Sequence, residues 1–180
     1  MKKNSRGFSL IELLIVVAII LIIAAIAIPD LLKSRQAANQ ASAVGSLRTI
    51  NTSEVTYSST YTTGFSQSLS QLDGPSGATA TSNAAGLIDN ILGGGTYIKS
   101  SYAFFYSSCP TTPAALGACS PPLAKGTDTI GTCTNVSSYT VAAAPVQCAG
   151  SGNFYFTDQS GVIRMNNDVP AGPSDSPLAG

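Results

Sequence analysis

The sequence predicts an α+β protein, in which one long N-terminal helix, membrane-spanning in its first half and amphipathic in its second, packs on a four-stranded antiparallel sheet. Three observations predict it. Residues 8–28 are an apolar run interrupted by one charge, Glu12. Helical periodicity resumes from Leu31 to about Tyr61, and after residue 96 short alternating segments follow one another between turn residues. A chain of 180 residues leaves room for one small head once such a helix is set aside.

The stretch FSLIELLIVVAIILIIAAIAI, Phe8 to Ile28, has 21 residues and makes a helix of about 31 Å, the thickness of a bilayer core. Lys2, Lys3 and Arg6 precede it, and the positive-inside bias keeps them cytoplasmic and puts residues 30–180 outside. A removable secretory signal is the simpler alternative, with Ala24 to Ala27 as a small-residue cleavage site. Glu12 argues against it. An ionisable group in such a run costs roughly 2.5–3.5 kcal/mol at the bilayer centre, less near its edge, and a discarded signal has no use for it.

The segment KKNSRGFSLIELLIVVAII resembles the class III leader and helix start of type IV pilins and the related type II secretion pseudopilins. The resemblance implies a leader at 1–7, a helix at 8–61 with its transmembrane part at 8–28, and a head at 62–180. It further implies that a prepilin peptidase cuts on the cytoplasmic side after Gly7 and methylates the new N-terminus, Phe8. Glu12 would then face the positive N-terminus of a neighbouring subunit. Serine stands at position 9 where the family more often has threonine.

Pro29 and Asp30 end the apolar run, and a proline inside a helix removes one hydrogen bond and crowds the preceding turn, so a kink or weak point that yields during filament packing is expected at Pro29. Beyond it Ala37, Ala41, Val44, Leu47 and Val55 fall on one arc opposite Arg35, a stripe for the sheet. Residues 62–96 are rich in Gly, Ser, Thr and Ala, with apolar signals at Leu69 to Leu72 and Leu87 to Leu92, and read as an outward connecting loop. Tyr97 to Ser107, Tyr139 to Val146, Asn153 to Thr157 and Val162 to Asn166 alternate as strands, the last two forming a hairpin across Asp158-Gln159-Ser160-Gly161. The Pro-rich tail, 169–180, is expected to be poorly ordered.

Charged residues make up only 10% of the chain, and without Lys2, Lys3 and Arg6 there remain six basic side chains against nine acidic, about −3. No basic patch announces nucleic-acid binding. Cys109, Cys119, Cys133 and Cys148 lack the paired spacing of a zinc site, and the chain has no histidine, so disulfides in an oxidising compartment are expected and no metal or cofactor. If Tyr139 to Val146 and its flanks run straight, Cys133 and Cys148 lie at opposite ends, about 50 Å apart at ~3.3 Å per residue, which pairs Cys109 with Cys133 and Cys119 with Cys148. A bend there would restore Cys133 with Cys148 and Cys109 with Cys119. With no histidine, no clustered carboxylates, no Gly-x-Ser-x-Gly elbow and no Lys-Ser/Thr after Gly93 to Gly95, enzymatic activity is not expected.

Together these readings give a structural subunit of an extracellular type IV pilus, with adhesion, motility or DNA uptake as its uses. Its partners would be other copies of itself, the inner membrane before assembly, the prepilin peptidase/methyltransferase and the pilus assembly platform. A type II secretion pseudopilin is the alternative, weakened by the scattered acids after residue 125 where a calcium cage would need them grouped. A pilus-borne adhesin or minor pilin is the other. Intact-mass measurement of sheared surface material is expected to show a chain starting at Phe8 with one added methyl group; a start after Ala24 would overturn this reading.

Overall fold

The computed structural model describes residues 8–74, 79–109, 126–129, 135–147, 152–167 and 169–178. Helix α1 runs Leu10–Tyr61 through Pro29 without a break. The weak point expected at Pro29 concerns the packed filament, and in the single chain the helix is continuous there. Proline removes only the bond to the Ala25 carbonyl, one of many that hold a helix of 52 residues. The helix stops where Thr62 turns to a φ of 56°, a left-handed residue that ends the ladder. Gly64 follows at φ +85°, where an added Cβ would strike the Val136 carbonyl oxygen at 2.3 Å. That closeness lets Phe65 N–H bond the same oxygen at 2.9 Å.

Two compact units divide the chain at Ala37/Ala38. Within the second, the buried face of α1 is Ala43, Val44, Ser46, Leu47, Ile50, Ser53, Glu54 and Tyr57, the three-and-four spacing of one helix side. Of the expected stripe only Val44 and Leu47 are buried; Ala37 and Ala41 are exposed and Val55 is 62% exposed. Val55 sits about 100° around the helix from Glu54, and the sheet takes the carboxylate's side.

The connecting segment is not an outer loop. It carries α2 (Leu69–Leu72), whose N-cap Ser68 accepts from Gln71 N–H, and α3 (Asn90–Gly93), whose N-cap Asp89 accepts from Leu92 N–H. Leu69, Leu72, Ile88 and Leu92 are buried in the same core as α1. Backbone bonds from Ala85 to Gln71 (2.8 Å) and Leu87 to Leu72 (2.7 Å) satisfy the buried chain. Burying these leucines against that core removes their apolar area from water, which draws them inward.

Among the described residues the sheet has six strands rather than four: β1 (Ile98–Lys99), β2 (Tyr102–Ser108), β3 (Thr127–Thr129), β4 (Tyr139–Pro145), β5 (Phe154–Asp158) and β6 (Arg164–Asn166). The path is β1-β2-β4-β5-β6, antiparallel throughout, and β3 pairs parallel with β2 at Phe105 to Ser107. The expected strand Tyr97 to Ser107 splits because Ser100 and Ser101 both adopt positive φ, 50° and 62°. Two such residues make the hairpin turn whose twist matches its flanking strands. Ser100 Oγ also hydrogen-bonds Ser42 Oγ of α1 at 2.8 Å.

Alternation sorts the two sheet faces. Tyr102, Phe104, Tyr106, Tyr139, Val141, Ala143 and Tyr155 join the α1 core; Ala142, Ala144, Phe154 and Phe156 form a second cluster with Ala171 of the tail. The tail thus corrects its own expectation, since it covers that face and runs along β6. Met165 N–H bonds Ser176 O (3.1 Å) and Leu178 N–H bonds Ile163 O (2.7 Å), while Asp175 accepts from Gly172 N–H at 2.7 Å and Asn166 Nδ2 at 3.1 Å. A sheet edge left with unpaired backbone groups invites this cover.

Cys109 closes β2, its N–H bonded to Ser138 O at 2.9 Å, and it is disulfide-bonded. Val146 N–H meets Ser101 O at the other end of the pair, so the β2–β4 ladder is continuous between the two ends. Cys119, Cys133 and Cys148 lie outside the described residues.

Leu69 separates a core segment from a surface loop. Leu69→Ala is expected to cost about 2–5 kcal/mol in urea unfolding of the full chain; a change under ~0.5 kcal/mol would return the segment to the surface.

Candidate functional site

The first turn of α1 is built by a sequence device, Ser9-Leu10-Ile11-Glu12. Helix N-termini leave backbone donors without helical partners. Here Glu12 Oε2 reaches back to accept Ser9 N–H at 2.9 Å, and Leu13 N–H makes the first helical bond to Ser9 O at 3.3 Å. This is the acidic half of a capping box, with its negative charge at the positive end of the helix. The signature S-x-x-E before an apolar run was present in the sequence and points to this role for Glu12 beside the one the family resemblance implies.

Past Glu12 the surface is apolar on every side. Leu10, Ile11, Leu13, Leu14, Ile19, Ile20, Ile23 and Ile26 are each at least half exposed, and an 18-residue window of the helix has mean hydropathy 3.3 with none of it buried. A helix apolar all round is one that lies in a core or a membrane, and this one has the length and composition to cross a bilayer. Phe8 is 78% exposed ahead of it, and Pro29 lies within it. Gly7 lies outside the described residues. The structure thus brings Phe8 and Glu12 to one helix end, with Pro29 farther along and Cys109 on the sheet.

Comparison with known proteins bears on this segment. The family described as the prokaryotic N-terminal methylation motif matches residues 2–28. The N-terminal segment is thus similar to that of a type IV pilus component, as its residues suggested. Over 37 residues the chain is 62% identical to the type IV wide pilus major component PilA4 of Thermus thermophilus, a match covering 21% of this chain and 28% of that protein. The chain so spans little more than a quarter of that relative's length. No solved structure matches.

A second polar feature, in the head, escaped the sequence reading. Glu54 is fully buried in α1 and accepts Ser66 N–H at Oε2 (2.9 Å), with Ser66 Oγ (2.6 Å) and the Tyr106 hydroxyl (2.7 Å) at Oε1. Burial pushes its carboxyl above the ordinary range, while the Ser66 and Tyr106 bonds pull the other way. Tyr106 is raised well above its usual value by its own burial and then by the Glu54 charge. The signal was the spacing Leu47, Ile50, Glu54, Tyr57, which places the acid on the core side.

Among the described residues no group of three or more His, Cys, Asp or Glu is placed to hold a metal ion.

The cap makes a local prediction. Glu12→Ala is expected to weaken the start of the helix by ~1 kcal/mol, read as roughly fivefold faster amide exchange at Ser9 in the micelle-embedded full chain, whereas Glu12→Gln, which keeps an acceptor, changes it less. Equal exchange in the wild-type and alanine chains would refute the capping role.

Proposed function

We propose that this chain is the structural subunit of an extracellular type IV pilus-type filament, made as a single-pass inner-membrane precursor, cut after Gly7, methylated on Phe8 and assembled through its N-terminal helix. The observation that carries the reading is an all-round apolar helix, uncovered by its own chain, directly behind the methylation motif. Lipid covers that surface before assembly and the helices of other copies cover it afterwards. Membership of a pilus also agrees with the likeness to the Thermus thermophilus relative, a type IV wide pilus major component.

Cleavage changes the electrostatics of the helix start. In the precursor Phe8 N is an amide and Glu12 is held by Ser9 N–H. In the mature chain Phe8 carries a cationic methylated amine, and a carboxylate entering an apolar filament core needs such a partner or loses several kcal/mol of solvation. Pairing between the amine of one copy and Glu12 of the next favours docking at one axial register. Pro29, lacking one helical bond, is where the packed helix yields most easily. In the head, Cys109 at the end of β2 is expected to pair with Cys133, with Cys119 joined to Cys148, which non-reducing peptide mapping reads directly.

Glu12→Ala is expected to be cut and methylated normally while filaments are lost or scarce, scored by precursor size on gels and by imaging of sheared material, with Glu12→Gln intermediate or equally defective. Normal filament yield from fully processed Glu12→Ala chains would contradict the pairing role, and loss of cleavage would return the residue to processing.

A further inference from the structure

Glu54 has no part in membrane insertion, processing or filament docking as argued above, yet it is one of two glutamates in the chain and lies fully buried where three pieces of the head meet. Helix α1 supplies the carboxylate, the segment after the helix supplies Ser66, and β2 supplies Tyr106. Its described partners include no cation. The titratable groups facing it are phenols: Tyr57 from its own helix, Tyr106 from β2 and Tyr139 from β4. Asp158 acts on Tyr139 from β5, and the Tyr139 hydroxyl is itself engaged by Asn51 Oδ1 at 3.0 Å.

The hydroxyls around Glu54 each have a second acceptor. Tyr106 O–H can donate to Glu54 Oε1 or to Ser66 O at 2.8 Å. Ser66 O–H can donate to Glu54 Oε1 or to Ser68 O at 3.1 Å. With the carboxylate ionised, both hydroxyls and Ser66 N–H point at it. With the carboxyl protonated, Ser66 O–H turns to Ser68 O and Tyr106 O–H to Ser66 O. Glu54 then donates its own proton to one of the two hydroxyl oxygens it faces. No heavy atom moves, and every polar group keeps a partner in either state. Protonation costs no hydrogen bond, whereas ionisation buries a charge that these three donors stabilise but that no described cation balances.

We propose that the Glu54–Ser66–Tyr106 cluster is a proton-operated latch, which fastens the connecting segment to the helix and sheet in its neutral form and loosens as the external pH rises. Burial acts in the same direction on the carboxyl. The sign follows from linkage: a carboxyl whose folded value lies above its unfolded value binds a proton on folding. Its contribution is fully present below the ordinary unfolded value and is lost as pH rises through the folded one. This is opposite to the usual acid destabilisation of a protein held by ion pairs. The latched segment carries Leu69 and Leu72 into the core, so loosening reaches the packing of the head.

The small number of glutamates makes the test direct. In a Glu12→Gln full chain in detergent micelles, Glu54 is the only glutamate left, and selective carbon-13 labelling gives one carboxyl resonance. Its titration midpoint is expected above the ordinary value of about 4.3; a midpoint at or below that value would overturn the proposal. The consequence is read separately in the otherwise wild-type chain. Its thermal midpoint is expected to match that of Glu54→Gln near pH 4 and to fall progressively below it toward about pH 8. Parallel curves, or a wild-type chain that gains on Glu54→Gln as pH rises, would also overturn it. Tyr106→Phe removes one donor to the ionised form and is expected to move the resonance midpoint further up; a downward shift contradicts the proton-sharing arrangement.

Discussion

The apolar surface of the first half of α1 sets the terms for everything else in this chain. A fully exposed Leu or Ile loses about 1.5–3 kcal/mol relative to burial, and from Leu10 to Leu32 the large hydrophobics are exposed on every side. Cover has to come from outside the chain. The one charge in the run, Glu12, sits in the first turn, where Ser9 N–H engages it and the helix dipole favours it. A carboxylate so placed belongs near the bilayer edge, at the end that the proposed cleavage exposes.

The second half of the same helix solves a different problem. Its head is poor in charge, and tyrosines take over much of the work of packing and polar satisfaction together. Tyr106 and Tyr139 stack at 6.0 Å and Phe65 meets Tyr139 edge-on at 4.9 Å, while Tyr57 and Tyr102 send their hydroxyls to backbone carbonyls of Ser82 and Asn153. Each tyrosine buries a large apolar face and delivers one hydroxyl to a partner. Along the exposed side of α1, Thr49, Thr52, Thr56 and Thr60 bond carbonyls four residues back. That turns their hydroxyls inward and leaves their methyl groups outward.

What was legible in the sequence follows from how local each signal was. The apolar run, the methylation motif and the strands now seen as β2, β4, β5 and β6 depend on composition or on period two within a few residues. The hairpin at Asp158 to Gly161 was legible for the same reason, with Gly161 at φ +74° and Ser160 N–H on Asp158 Oδ1. Glu54 was missed because its core position depends on what the sheet presents to it, Tyr106 with Ser66 alongside. Leu69 and Leu72 were placed outside because Gly, Ser and Thr around them mimic a loop, although a leucine pair in a low-charge head is drawn inward. Ser100 and Ser101 gave no turn signal of the Asn-Gly kind, and the tail's cover of β6 depends on an edge that exists only after folding. The capping box at Ser9 and Glu12 was local and readable, since S-x-x-E stands directly before the apolar run.

Helical reconstruction of filaments sheared from cells producing this chain tests the central claim most directly. The account predicts a core lined by residues 8–28 of this chain, with Phe8 of one copy beside Glu12 of another and the sheet-bearing heads outside. Filaments that lack the chain, or that carry it with residues 8–28 away from the core, would contradict it.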